Sequence, residues 1–259
     1  MCRHLAYLGA PVSPAELVFD APHALLTQSY APLDMRGGGS VNADGFGLGW
    51  YPEPGGAPQR YRRQSPLWTD QTLPALAASV RTTAFVAAVR NGTTGMPVTE
   101  AAAAPFTDGP WLFSHNGVVR GWPASVAGLA KALDVTELLT LEAPTDSVLL
   151  WALLRARLRA GVDLLAAVTD LIVEVEAAAP GSRLNFLLTD GTTLIGTTWT
   201  HALSMRSVPG GVVLASEPCD ADPAWTPVPE HHAVRVTDTG VVDLVPLTVP
   251  LTVDRSTRS

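Results

Sequence analysis

Met1-Cys2-Arg3-His4-Leu5-Ala6-Tyr7-Leu8 is the stretch that decides how this 259-residue chain is read. Its β-compatible residues run up to Gly9-Ala10-Pro11, which predicts a strand over Cys2–Gly9. The cysteine at position 2 becomes the first residue once the initiator methionine is removed. It then carries a thiol and a free α-amino group. Such an amine titrates at about 7.7–8.0 and can take the thiol's proton near neutral pH. The plain alternative is a small, inert cysteine that merely opens a strand.

Working outward, the composition bounds the answer. At 47% hydrophobic and 16% charged the chain is globular, with enough residues for a sizeable core. A net charge of -7 leaves no basic stripe for phosphates, so nucleic acid is not expected as a partner. Cys2 and Cys219 stand at opposite ends and make no disulfide framework, which points to a reducing compartment. No apolar run approaches the roughly 20 residues of a membrane span, and none before Pro11 resembles a signal peptide. A cytoplasmic protein with no membrane partner is expected; oligomeric state is not readable.

Ser13-Pro14-Ala15-Glu16 reads as a helix start with Ser13 as cap, and residues 23–40, ending in Gly37-Gly38-Gly39, read as a loop. Strands are expected over Phe46–Tyr51, Gln59–Gln64, Phe85–Val89 and Trp111–His115, with a short helix within Asp70–Val80. Leucines at 149, 150, 153, 154 and 158 repeat at helical spacing, from Thr145 or Asp146 to Gly161. A second helix spans Leu164–Val175. Leu184–Thr189 and Thr193–Thr198 flank Asp190-Gly191 as a hairpin, and strands follow at Val212–Ser216, Ala233–Thr237 and Val241–Val245. Strands, then helices, then strands predict an α+β fold of antiparallel sheets covered by helices. One domain over residues 2–250 is expected, with 251–259 as a loose tail.

Several segments could carry chemistry. Gly45, Gly47 and Gly49 alternate, baring one strand face to a ligand or to packed neighbours. Arg90 ends an apolar strand and could hold a carboxylate through two parallel hydrogen bonds, with Thr93 adding a hydroxyl; a surface arginine beside an Asn-Gly turn is the alternative. In Ser114-His115-Asn116-Gly117, the Asn116 amide and the Gly117 N–H could donate to an oxyanion, or the pair could be a hairpin turn. Asp146 could bind an ammonium, or serve only the helix N-terminus. No metal-ligand spacing is visible.

Taken in order, Cys2-Arg3, Asn42–Trp50, Val89-Arg90-Asn91-Gly92-Thr93, Ser114-His115-Asn116-Gly117 and Thr145-Asp146-Ser147 resemble the class II glutamine amidotransferases, a branch of the N-terminal-nucleophile hydrolases. Asn185 and Ala215-Ser216-Glu217-Pro218 extend the match. Within the family, Gln28-Ser29-Tyr30-Ala31-Pro32, Gly95-Met96-Pro97 and Ala104-Pro105-Phe106 resemble the γ-glutamyl hydrolases of ergothioneine biosynthesis. The resemblance implies a four-layer αββα sandwich with two antiparallel sheets between helical layers. It implies hydrolysis of γ-glutamyl-hercynylcysteine S-oxide through a thioester on Cys2, with Asn116 and Gly117 as oxyanion donors. Arg90 and Thr93 would bind the glutamyl carboxylate and Asp146 its ammonium, with no cofactor and no metal. Asn91 departs from the tryptophan many glutamine-using relatives have there. A glutaminase subunit feeding a separate synthase is the alternative. The substrate's trimethylated amine calls for aromatic faces, and Trp68, Trp111, Trp122 and Trp225 are the candidates.

Overall fold

The computed structural model describes residues 2–36, 41–240 and 242–248. The glycine run at 37–39, Val241 and the expected tail at 251–259 lie outside the described residues. β1, Arg3–Val12, sits in a seven-stranded sheet between β4, Thr82–Val89, and β10, Gly211–Ala215. β2, Phe46–Trp50, and β3, Gln59–Arg63, extend the β4 side. β9, Ser204–Val208, and β11, Thr226–Pro227, extend the β10 side. The second sheet has six strands. Its order is β13 (Val242–Pro246), β12 (His232–Thr237), β8 (Thr193–Thr198), β7 (Arg183–Thr189), β6 (Trp111–Val118) and β5 (Phe106–Asp108). Neighbouring strands in both sheets run antiparallel.

The period-2 alternation of β1 shows how the layers stack. Leu5 and Tyr7 pack with Val18, Leu25, Phe46 and Phe85 on the outer face. Ala6 and Leu8, between them in sequence, pack with Leu112, Leu187 and Leu214 in the space between the sheets. A third core joins Phe113, Phe186 and Leu188 to two long helices, α5 (Asp146–Arg159) and α6 (Leu164–Ala178). The outer face of the first sheet is covered by a π-helical turn at Glu16–Asp20, α1 (Leu25–Tyr30) and α2 (Leu73–Ser79). Helix, sheet, sheet, helix is the αββα order expected. Full burial of one such leucine contributes about 1.5–3 kcal/mol, so the three cores together hold the layers.

The caps explain where the long helices begin. The Thr145 hydroxyl accepts from the Val148 N–H at 3.3 Å, and the Asp163 carboxylate accepts from Leu165 and Ala166. Two shorter helices, α3 (Ala127–Ala130) and α4 (Val135–Leu139), fill the link before α5.

Some local expectations are corrected. Ser13 caps nothing: its hydroxyl donates to the Ala77 carbonyl at 2.9 Å, tying the turn to α2. The expected loop at 23–40 contains α1, too short to show a period and held by tertiary contacts. Its Gln28 amide donates to the His23 carbonyl at 2.9 Å and the Glu217 carbonyl at 3.3 Å. The alternating glycines of β2 face protein, not a ligand. A Cβ on Gly49 would lie 2.7 Å from Leu112 and 2.9 Å from Pro105.

Candidate active site

Register brings the first two elements together. β1 pairs antiparallel with β4, Arg3 opposite Val89, so one residue earlier Cys2 lies beside Arg90. Both line one pocket, closed by Phe46, Phe106, His115 and Ser147. Cys2 is half-buried, and its thiol faces the Asn91 carbonyl at 3.8 Å. Arg90 is buried, yet it makes no ion pair with the described residues. Its Nη1 donates to the carbonyls of Asp44, at 3.4 Å, and Pro97, at 3.0 Å. Among the described residues its Nε and Nη2 carry no hydrogen bond. A desolvated guanidinium with open donors is what a carboxylate ligand needs.

Asn116 and Gly117 are not a hairpin turn. β6 runs through them to Val118, with Asn116 opposite Asn185. Asn116 points between the sheets, where its Nδ2 donates to Ser216 Oγ at 3.3 Å. Ser216 in turn donates to the His4 carbonyl at 3.1 Å and accepts from the His4 N–H at 3.0 Å. This chain holds the amide two residues from the nucleophile along β1, with one amide hydrogen left over. Position 117 has no room for a side chain. A Cβ there would collide with the Arg183 carbonyl of the neighbouring strand and reach within 2.5 Å of His115 Nε2.

Asp146 is buried at the first turn of α5 and is not among the residues lining the pocket of Cys2; its neighbour Ser147 is. Its Oδ2 accepts from the Val119 N–H at 2.9 Å and its Oδ1 from the Ser147 N–H at 2.7 Å. A carboxylate retains further lone pairs beyond these two bonds. Thr93 is exposed and lines a different pocket, with Met96, Val119 and Trp122. Of the four tryptophans, Trp122 shares a pocket with an expected site residue, Thr93. Trp68 meets Tyr30 edge-on at 6.0 Å, Trp111 packs on the outer core, and Trp225 lies under the Arg206 guanidinium at 5.7 Å.

The histidines around the site stay neutral. His115 Nε2 lies 2.9 Å from the Arg183 carbonyl and must carry its proton there, so Nδ1 accepts from Ser147 Oγ at 2.9 Å. Burial lowers the His115 pKa. Burial, with His115, His201 and Arg3 nearby, pushes His4 down to about 3, and burial together with Arg183 and Arg3 does the same to His201. None of the three is poised to accept a thiol proton. No group of three or more His, Cys, Asp or Glu among the described residues is placed to hold a metal. None of their helices is long and apolar enough to cross a membrane.

His115 and Ser147 had been visible only as companions within motifs. Their roles depend on strands and helices meeting across the fold. Arg3 and Glu217 are the larger omission, because their pairing spans most of the chain.

The model of the class II glutamine amidotransferases matches residues 16–217. A γ-glutamyl-hercynylcysteine sulfoxide hydrolase of Mycolicibacterium smegmatis is 44% identical over 242 residues, covering 93% of this chain and 98% of its own. The protein of the same name from Mycobacterium tuberculosis is also 44% identical, over 93% of this chain and 95% of its own. A class II glutamine aminotransferase domain protein of Silicibacter pomeroyi superposes with a TM-score of 0.68 over 95% of this chain and all of its own, at 23% identity. That likeness shows the fold.

Proposed function

The chain belongs to the class II glutamine amidotransferases, and we propose that it is the member that hydrolyses the γ-glutamyl amide of γ-glutamyl-hercynylcysteine sulfoxide, releasing glutamate. The observation that carries the chemistry is the shared pocket of Cys2 and Arg90, a thiol beside a buried cation with no carboxylate of its own. The substrate follows from the two mycobacterial relatives, which match nearly end to end.

In this reading methionine removal frees the Cys2 amine. That amine takes the thiol proton, directly or through water, and sulfur attacks the γ-carbonyl. The Asn116 amide and Gly117 N–H donate to the oxyanion; losing one such donor costs about 2.7–4 kcal/mol of transition-state stabilisation. The ammonium then protonates the departing amine. Water cleaves the thioester, returning the thiol and releasing glutamate. Arg90 holds the α-carboxylate and Asp146 the α-ammonium. Thr93, three residues beyond Arg90 and lining the neighbouring pocket, would add a hydroxyl to the same carboxylate. No step calls on a metal or an organic cofactor.

The test is glutamate release by purified protein from the sulfoxide substrate and, separately, from glutamine. Cys2→Ala should abolish release from the sulfoxide substrate. Undiminished release would remove the nucleophile, and a preference for glutamine would favour a glutaminase feeding a separate synthase.

A further inference from the structure

A second buried arginine lies next to the nucleophile, and the mechanism above does not use it. The Arg3 side chain turns back on its own N-terminal neighbour, its Nη1 donating to the Cys2 carbonyl at 3.1 Å. Its Nε donates to Glu217 Oε1 at 2.7 Å and its Nη2 to the Asp34 carbonyl. Glu217 is one of the most enclosed carboxylates in the molecule, 2% exposed, against 3% for Arg3. Its second oxygen accepts from His23 Nε2 and from the Leu33 N–H, both at 2.8 Å.

We propose that Glu217, acting through Arg3, is a positioning residue for the N-terminal nucleophile. The proposal rests on the reading of Cys2 as that nucleophile. A terminal residue frays unless something ties it down. The ladder of β1 with β4 begins at Arg3, one residue too late to hold Cys2. Of the contacts that reach Cys2, the Sγ contact to Asn91 is long, and the thiol must leave it to react. The Arg3 bond to the Cys2 carbonyl is therefore the anchor that survives the reaction. Fixing that carbonyl fixes the Cα of Cys2, from which both thiol and amine project. Glu217 keeps the guanidinium in place, and its hold on Leu33 locks residues 33 and 34 to the same frame.

The experiment measures kcat and KM on the sulfoxide substrate, and the rate at which iodoacetamide alkylates Cys2, in Glu217→Gln and Arg3→Lys. Misplacing reacting groups by an ångström is enough to cut rates on the order of a hundredfold, so kcat should fall tenfold or more in both variants. KM should hold within about twofold because Arg90 is untouched. Alkylation should slow in parallel. Arg3→Lys keeps a charge for Glu217 but cannot span three acceptors at once, so it reports even if Glu217→Gln does not fold. Parental kcat and alkylation in a folded variant would overturn the positioning role, as would a change confined to KM. An active Cys2→Ala control would instead overturn the nucleophile, and this inference with it.

Discussion

Arg3 and Arg90 stand side by side at the ends of paired strands, both buried, and differ in what answers their charge. Arg3 has a desolvated carboxylate at 2.7 Å and an enclosing set of carbonyls. Arg90 has carbonyls only. The first cation is neutralised by the fold. In the proposed function the second is left for the substrate carboxylate. Burial alone therefore does not distinguish a structural arginine from a binding one; the inventory of nearby anions does.

Replacing each with alanine separates them most strongly. Arg3→Ala leaves the buried Glu217 carboxylate with only the His23 imidazole and the Leu33 N–H, and should cost about 3–5 kcal/mol in urea unfolding. Arg90→Ala should cost little, because no buried carboxylate loses its partner. A comparable loss in both variants would erase the distinction. In activity the order inverts. Charge-assisted hydrogen bonds contribute about 1.5–3 kcal/mol, so Arg90→Ala should raise KM by roughly ten- to a hundredfold in initial-rate assays. An unchanged KM would take Arg90 out of the binding site.

The buried histidines carry the pH sensitivity, His115 in the pocket of Arg90 in the same direction as the two nearer Arg3. His4 and His201 have folded pKa values near 3, below the usual 6.5, so the folded chain binds fewer protons than the unfolded one. Their contribution is complete above pH 6.5 and is lost as the pH falls from there toward 3. The slope reaches at most about 1.4 kcal/mol per pH unit for each histidine. Thermal melts between pH 7.5 and 4.5 should fall accordingly, and His4→Gln should flatten the fall. The smallest effect sharpens the Arg90 side. Free glutamate at ten times its Kd should stabilise the parent by about 1.4 kcal/mol and Arg90→Ala not at all.

How much of this was legible in sequence depends on distance along the chain. The hydrophobic alternation of β1 and the leucine periodicity of α5 state the layers directly, since each element's pattern reports its own surroundings. Arg90 was visible because an arginine closing an apolar strand is anomalous locally. Glu217 was quoted only as part of a resemblance, because its meaning comes from Arg3, separated from it by 214 positions. Asn116-Gly117 has the composition of a turn, yet β7 pairs with it and extends the strand. The need for glycine at 117 was not legible either, because the Arg183 carbonyl that excludes a Cβ belongs to a strand 66 residues away. The tryptophan candidates rested on ring chemistry without placement, and Trp122 reaches the pocket that Thr93 lines.

The place of β1 in its sheet sets a timetable for synthesis. Its flanking strands are β4 and β10, and the second of these ends at Ala215. At 5–20 residues per second the ribosome needs about 10–40 s to reach that point after the N-terminus is made. Until then β1 lacks one neighbour, and the end of the chain is open to the peptidase that would trim it. Once β10 docks, Arg3 and His4 are sealed. Under the proposed function, trimming to Cys2 would thereby fall early in the life of the chain and its use late, an order set by the sequence of strands.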